Sequence, residues 1–374
     1  MLIKDICCSI TDGSHNPPQG IENSLYLMLS SKNVFDDEIT LEEPRFLTEE
    51  DFEKENKRTK VKCGDVLLTI VGTVGRAAVV PNDFPAFTLQ RSVAVLHPDK
   101  DVCIGRYLMY ALRGKRSYIE SHSKGVAQKG IYLKEVAGID LPVPSKEIQK
   151  EIIEKLDKVC SIIKNRQLEL EKLDDLIKAR FVELFGDTVM NPYGWEKDSL
   201  GSVCDVRDGT HDSPKYYETG YPLVTSKNVT GGKIDLTDCS LICEVDFNKI
   251  NERSKVDIGD IIMPMIGTVG KPVIVDIEPN FAIKNVALIK FKANSRVLNI
   301  YVRALLQSDY FDDAVLSKVR GGTQKFISLG DIRKLEVLVP PMERQEQFVA
   351  FVEQTDKSKV VLYIQKNNCK EAAQ

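Results

Sequence analysis

The sequence predicts an α+β fold made twice: two globular mixed α/β domains in pseudo-twofold repeat, separated by two long antiparallel helices that pair as a coiled coil. Three observations predict it. A heptad stripe runs through the middle of the chain, blocks of the first third return in the second half, and each copy leads into a helix. The boundaries expected are a first domain over 1–145, a central helical spacer over 146–187, a second domain over 188–342 and a closing helix over 343–374.

The stripe consists of Ile152, Leu156, Val159, Ile163, Leu170, Leu173, Ile177 and Leu184, with Arg166 and Arg180 at the remaining seam positions. Steps of four and three mark the apolar seam of a coiled coil. Neither Pro nor Gly interrupts Lys146 to Phe185, while Pro142 and Pro144 precede it and Gly186 follows where a C-terminal cap belongs. A helix of this length spans about 60 Å at 1.5 Å per residue. Its seam needs a partner, and the closing helix from Glu343 to Lys370 supplies one through Phe348, Val352, Leu362 and Tyr363. The two arginines set register or snorkel rather than bind.

The duplication is explicit. Asp12-Gly13-Ser14-His15 returns as Asp208-Gly209-Thr210-His211, and Ser31-Lys32-Asn33-Val34 as Ser226-Lys227-Asn228-Val229. Gly64-Asp65-Val66-Leu67 returns as Gly259-Asp260-Ile261-Ile262. Gly72-Thr73-Val74-Gly75-Arg76 returns as Gly267-Thr268-Val269-Gly270-Lys271, 195 residues further on. Gln128-Lys129 and Gln324-Lys325 precede the prolines that open each helix, and Gln149 and Gln345 lie in its first turns. Repeats at domain scale mean one structural unit used twice. Within each unit, Val66–Val71 with Ala77–Val80, and Ile261–Ile266 with Val273–Ile277, are β-branched runs joined by a Gly-Thr-Val-Gly turn, a hairpin signal. Asp101–Gly114 and Val297–Gln307 are expected to be helical.

Bulk properties narrow the class. The net charge is −4, which argues against a uniformly basic nucleic-acid binder but not against local basic faces. The longest apolar run, Val66 to Val80, contains Gly72, Gly75 and Arg76 and makes a poor membrane span. Nine scattered cysteines and a start without a cationic leader suggest a reduced, cytoplasmic protein. The four histidines are far apart, and Cys239 and Cys243 form a lone pair without the second knuckle of a zinc site. No metal and no cofactor are expected.

Taken together, the doubled Gly-Asp-(Val/Ile) and Gly-Thr-Val-Gly-(Arg/Lys) blocks, the doubled Gln-Lys to Pro approach to each helix, and Arg180-Phe181-Val182-Glu183-Leu184-Phe185-Gly186-Asp187 resemble the specificity subunit of type I restriction–modification systems. The resemblance covers essentially the whole chain. It implies two target-recognition domains, each meeting one half of a bipartite double-stranded DNA site. It implies helices that set the spacer and dock two methyltransferase subunits, with translocase–nuclease subunits joining for cleavage. The subunit itself would have no catalytic site.

Candidate DNA contacts follow from side-chain chemistry. Ser14 and His15, with Thr210 and His211, offer hydroxyls and imidazoles for phosphate or base edges, or else cap a turn. Lys32 with Asn33, and Lys227 with Asn228, offer a cation and an amide suited to phosphate and adenine, or else end a strand in solvent. Arg76 and Lys271 follow turns whose glycines serve backbone geometry. Two basic tracts are the best candidates. Tyr110–Lys134 carries six Lys or Arg against one acid and includes Lys124, Gln128 and Lys129; Val315–Lys334 carries five against one and includes Arg320, Gln324 and Lys325. Such local excess suits phosphate binding by counterion release. Gln90 with Arg91, and Lys284 with Asn285, complete the set.

Other classes find less support. The Gly-Thr-Val-Gly turns lack Walker spacing, and Pro272 stands where Ser or Thr would hold magnesium. Asn16-Pro17-Pro18-Gln19 lacks the aromatic that would stack on a flipped base. The charged stretch Glu49–Lys60 reads as a solvated helix. A self-sufficient methyltransferase or nuclease, or a coiled-coil scaffold that ignores DNA, are the alternatives.

Overall fold

Sheets covered on both faces explain the continuous apolar runs of this sequence. The computed structural model describes residues 1–125, 129–267, 269–315 and 326–372. The chain divides into two units, one comprising Met1–Lys164 with the chain end from Asn367, the other Asn165–Lys366.

In the first unit an antiparallel sheet has the order Cys7–Asp12, Val93–Pro98, Val66–Thr69, Ala77–Val79. Side chains alternate between faces. Leu67, Val93 and Val95 pack towards a second sheet, while Val66, Leu68, Ala94 and Leu96 pack beneath the helix Gly105–Gly114 with Leu108 and Leu112. The second sheet is mixed. Its central strand Tyr26–Leu29 runs antiparallel to Arg45–Leu47 and parallel to Phe87–Leu89. The charged stretch from Glu49 is a helix, Glu49–Thr59, capped by the Thr48 hydroxyl, which accepts from the Asp51 amide at 3.2 Å, and anchored by buried Phe52.

The second unit repeats this plan. Asp205–Asp208, Val286–Lys290, Ile261–Pro264 and Val273–Ile274 form the antiparallel sheet in the same order. Tyr221–Val224 lies between Ser240–Ile242 and Ala282–Ile283, again antiparallel on one side and parallel on the other. The helices Glu244–Ser254 and Asn299–Leu305 occupy the corresponding places in the chain. Both expected hairpins are present, and Gly72, Gly75, Gly267 and Gly270 all have positive φ, the backbone role expected of those turns.

The central helix runs Lys146–Phe185 without interruption. Gly186 caps it at φ +77°, donating its amide to the Val182 carbonyl at 2.8 Å. Trp195 Nε1 and Tyr193 Oη donate to the late carbonyls of Phe185 and Glu183, at 3.1 and 3.0 Å. The closing helix is Met342–Ala372. Within the second unit the two run antiparallel. Lys366 Nζ donates to Gln167, Lys359 pairs with Asp174 at 2.6 Å, and the Phe348 ring meets Phe181 and Phe185 at 5.5 Å each.

The closing helix departs from expectation in its seam. Phe348, Val352 and Leu362 face inward, but Tyr363 is exposed. The inward stripe is Gln345, Phe348, Val352, Thr355, Lys359, Leu362 and Lys366, none of them exposed. It keeps steps of three and four, with polar residues at four positions, so a count of apolar residues misses it. Arg180 snorkels, placing its guanidinium over the Phe351 ring at 5.6 Å and pairing with Glu183 at 2.7 Å.

Candidate nucleic-acid interface

Each antiparallel sheet ends its first strand in a buried aspartate, 7% exposed at Asp12 and 6% at Asp208. The glycine that follows is forced by a close backbone crossing. A Cβ on Gly13 would lie 2.0 Å from the Leu89 carbonyl oxygen, and one on Gly209 would lie 2.4 Å from that of Ile283. The chain then bridges Ser14 to Gln90 in one unit and Thr210 to Lys284 in the other. This brings together Gln90 and Arg91 with Ser14 and His15, and Lys284 and Asn285 with Thr210 and His211. These four candidates therefore lie beside the doubled histidine turns. Sequence separation hides that pairing.

On each buried aspartate sit a histidine and an arginine. His15 Nε2 is 2.9 Å from Asp12 Oδ2, and His211 Nε2 is 2.8 Å from Asp208 Oδ2. Arg58 Nη2 donates to the other Asp12 oxygen, as Arg253 Nη2 does to that of Asp208. The Asn285 side-chain oxygen lies 2.9 Å from His211 Nδ1. With acceptors on both nitrogens the ring favours its protonated form, and its pKa is raised, first by Asn285 and then by Asp208. Asp12, Asp208, Arg58 and Arg253 are not among the sequence candidates. A signal existed: Arg58-Thr59-Lys60-Val61 returns as Arg253-Ser254-Lys255-Val256, the first copy at the end of the stretch that reads as a solvated helix.

Two basic clefts open on the first unit. One, of about 460 Å³, is lined by His15, Arg91, Lys124 and Tyr132 among others. The other, of about 370 Å³, is lined by Arg76, Arg116 and Lys129 with Glu120. Lys124 and Gly130 bridge each other, and the Gly72 amide donates to the Lys129 carbonyl at 2.9 Å, so the Gly-Thr-Val-Gly turn and the basic tract share one surface. Lys124 is well exposed and leans on Glu135 at 3.3 Å. Arg76 is partly buried, stacked 4.9 Å over Phe35.

Several candidates have other work. Asn33 and Asn228 are each 3% exposed and hold a turn. Asn33 accepts from the Ser30 amide at 3.1 Å and donates to the Glu42 carbonyl at 2.8 Å; Asn228 accepts from Thr225 at 3.0 Å and donates to Asp238 at 3.3 Å. An adenine contact by these two amides is therefore corrected to a structural role. Ser14 is 8% exposed, and the Thr210 hydroxyl accepts from the Asp212 amide at 3.1 Å and so belongs to the turn. Lys32, Lys227 and Lys271 are exposed, Lys227 beside Asp238 at 3.5 Å. The Lys284 ammonium donates to Ser213 Oγ at 2.6 Å. Gln128, Arg320, Gln324 and Lys325 lie outside the described residues. Among the described residues no cluster of His, Cys, Asp and Glu suits a metal ion, and no helix is long and apolar enough to cross a membrane.

Known proteins share this architecture. The family described as the type I restriction modification DNA specificity domain matches residues 28–172 and again 192–368. The MjaVIII type I restriction enzyme specificity subunit of Methanocaldococcus jannaschii is 26% identical over 259 residues, 64% of this chain and 60% of the relative. The EcoBI specificity subunit of Escherichia coli is 26% identical over 300 residues, 72% of this chain and 62% of the relative. The match thus spans about three fifths of the length of these two relatives. In fold, the chain is similar over 100% of its length to 93% of the S subunit from M. genitalium, with a TM-score of 0.53 at 13% identity. It is similar over the same share to 94% of a chain from a structure of type I R-M complex assembly and conformational transition, at 0.57 and 18%.

Proposed function

Because the chain belongs to the type I restriction–modification DNA specificity family, we propose that it is the sequence-specificity subunit of such a complex. Each unit reads one half of a bipartite double-stranded DNA site, and the paired helices set the distance between the halves. The subunit is not itself catalytic; two methyltransferase subunits bring the chemistry, nuclease subunits join for cleavage, and the complex works in the cytoplasm. The observation that carries this reading is the repetition of one sheet-and-helix unit, each copy leading into a long helix.

The outer faces of the helices support the partner assignment. Within the second unit Leu168, Leu176 and Val182 on one helix, and Val360, Val361, Tyr363 and Ile364 on the other, are about half open to solvent, from 48% at Leu168 to 58% at Val360. Apolar side chains outside an already filled seam suit helices of another subunit. His15, Lys32, Arg76, Gln90, Arg91, Lys124, Lys129, His211, Lys227, Lys271, Lys284 and Asn285 are the proposed DNA-facing set, with Gln128, Arg320, Gln324 and Lys325 from the two basic tracts.

The test maps methylated positions in host DNA with and without the gene, then measures binding of the assembled complex to that site. Substituting Lys124, Lys129, Arg320 and Lys325 by Gln should weaken binding and flatten its dependence on salt, by about 0.9 in log–log slope for each phosphate no longer neutralised. An unchanged slope removes these residues from the interface. Deleting matched heptads from both helices should shorten the spacer of the methylated motif, and a motif of unchanged spacing would refute the ruler role.

A further inference from the structure

The two Arg–Asp–His clusters are the same object built twice, and their repetition says what they meet. Two halves of a bipartite site differ in their bases but not in their phosphates. Within a specificity subunit, surface chemistry that is identical in both units therefore faces what the half-sites share, and chemistry that differs at matched positions faces what they do not. The position bridged to the histidine turn holds Gln90 in one unit and Lys284 in the other, with Arg91 and Asn285 next to them. Those positions differ. Asp12, His15 and Arg58 are matched in type and geometry by Asp208, His211 and Arg253.

The clusters are also built to present a cation rather than to hide one. Side-chain exposure is 9% for both aspartates, against 54% for Arg58 and 66% for Arg253. One nitrogen of each guanidinium is held by a carboxylate oxygen, while a fork with five N–H donors retains others for a second acceptor. An arginine already held in place loses less rotamer freedom when it meets a phosphate. A plain surface ion pair would be a weak reason to bury the same carboxylate twice, since such pairs add little to stability. In the first unit His15 continues the surface into the cleft lined by Arg91 and Lys124.

We propose that Arg58 and Arg253, each anchored on a buried aspartate, are a matched pair of sequence-independent DNA-phosphate contacts, one in each unit. This rests on the specificity-subunit reading. The experiment uses the full chain assembled with its methyltransferase partner and two duplexes, one carrying the site mapped by methylation and one with that site scrambled. Wild-type complex that does not distinguish the duplexes sinks the specificity reading itself, whatever the variants do. If it does distinguish them, Arg58→Gln with Arg253→Gln should weaken both duplexes by the same factor and reduce the salt slope by about 1.8, two phosphates at about 0.9 each. An unchanged slope overturns the inference. So does selective loss of the mapped site, which would make the arginines base readers, or loss of co-purifying methyltransferase, which would make this a protein interface. A second measurement needs no variant: replacing single phosphates by neutral methylphosphonates in the mapped duplex should reveal one sensitive position in each half-site, and finding none at matched places overturns the pairing.

Discussion

Gln149 and Gln345 make the same three hydrogen bonds in two different helices. Gln149 Oε1 accepts from the Ile104 amide at 2.9 Å while its Nε2 donates to the carbonyls of Val102 and Pro144, both at 2.9 Å. Gln345 Oε1 accepts from the Leu298 amide at 2.8 Å while its Nε2 donates to Arg296 and Pro340, both at 2.9 Å. Both side chains are 0% exposed. Each amide therefore ties the first turns of a long helix to the segment that starts a shorter one, and fixes the angle at which the helix leaves its unit. Substitution by Leu keeps the bulk but strands a buried amide and two carbonyls. Each such group costs about 1–3 kcal/mol when left without a partner. Denaturant unfolding should show Gln149→Leu and Gln345→Leu each destabilising by at least about 3 kcal/mol. A loss below about 1 kcal/mol would mean that water replaces these bonds freely.

The doubled glycines after the buried aspartates should be intolerant for a reason unrelated to dihedral freedom. A methyl group at Gly13 or Gly209 would overlap a backbone carbonyl, at 2.0 and 2.4 Å. Backbone cannot move aside as a side-chain tip does, so Gly13→Ala and Gly209→Ala should lower the melting temperature markedly. Gly114 is the internal control, since nothing lies within 4 Å of a Cβ built there. Gly114→Ala should leave melting unchanged or raise it. Equal melting of all three proteins would contradict the close crossing.

The His211 ring should titrate above its ordinary value of 6.5 because Asn285 and Asp208 hold its charged form. A raised folded pKa gives stability that is fully present below the unfolded value and is lost as pH rises through the folded one. The loss thus begins near 6.5 and runs upward. Its size is small because the side chain is 60% exposed. Proton NMR of the imidazole should place the midpoint above 6.5, with Asn285→Ala bringing it down and Arg253→Gln, which removes an opposing charge, moving it up. A midpoint that ignores both substitutions would separate the ring from these partners.

Much of the fold is legible in the chain because repetition and heptad spacing leave traces in residue type. The central helix, its Gly186 cap, both hairpins and the positive-φ glycines can all be read that way. What stays hidden depends on three-dimensional pairing. Asn33 and Asn228 look like exposed amides until Glu42 and Asp238 fold over them. Arg58 and Arg253 sit in ordinary charged helices, and only the approach of Asp12 and Asp208 distinguishes them from solvated neighbours.

The closing helix shows where apolar counting fails and where its stability resides. Phe348 is 0% exposed and its ring meets Phe181 and Phe185 at 5.5 Å each, while Phe185 also meets Tyr301 at 4.7 Å. Lys359 shares the same seam but is 21% exposed and is held by Asp174 at 2.6 Å and Asp356 at 3.2 Å. Removing the ring leaves a cavity among aromatics, for which Phe→Ala costs about 3–5 kcal/mol. Removing the lysine breaks partly solvated pairs that contribute about 0–1 kcal/mol, and Leu at that position would extend the apolar seam. Phe348→Ala should therefore unfold the second unit at much lower denaturant, while Lys359→Leu should leave its midpoint unchanged or raise it. If the two substitutions proved equally damaging, the helical pair would be held by charge along its length rather than by the aromatic cluster at its foot.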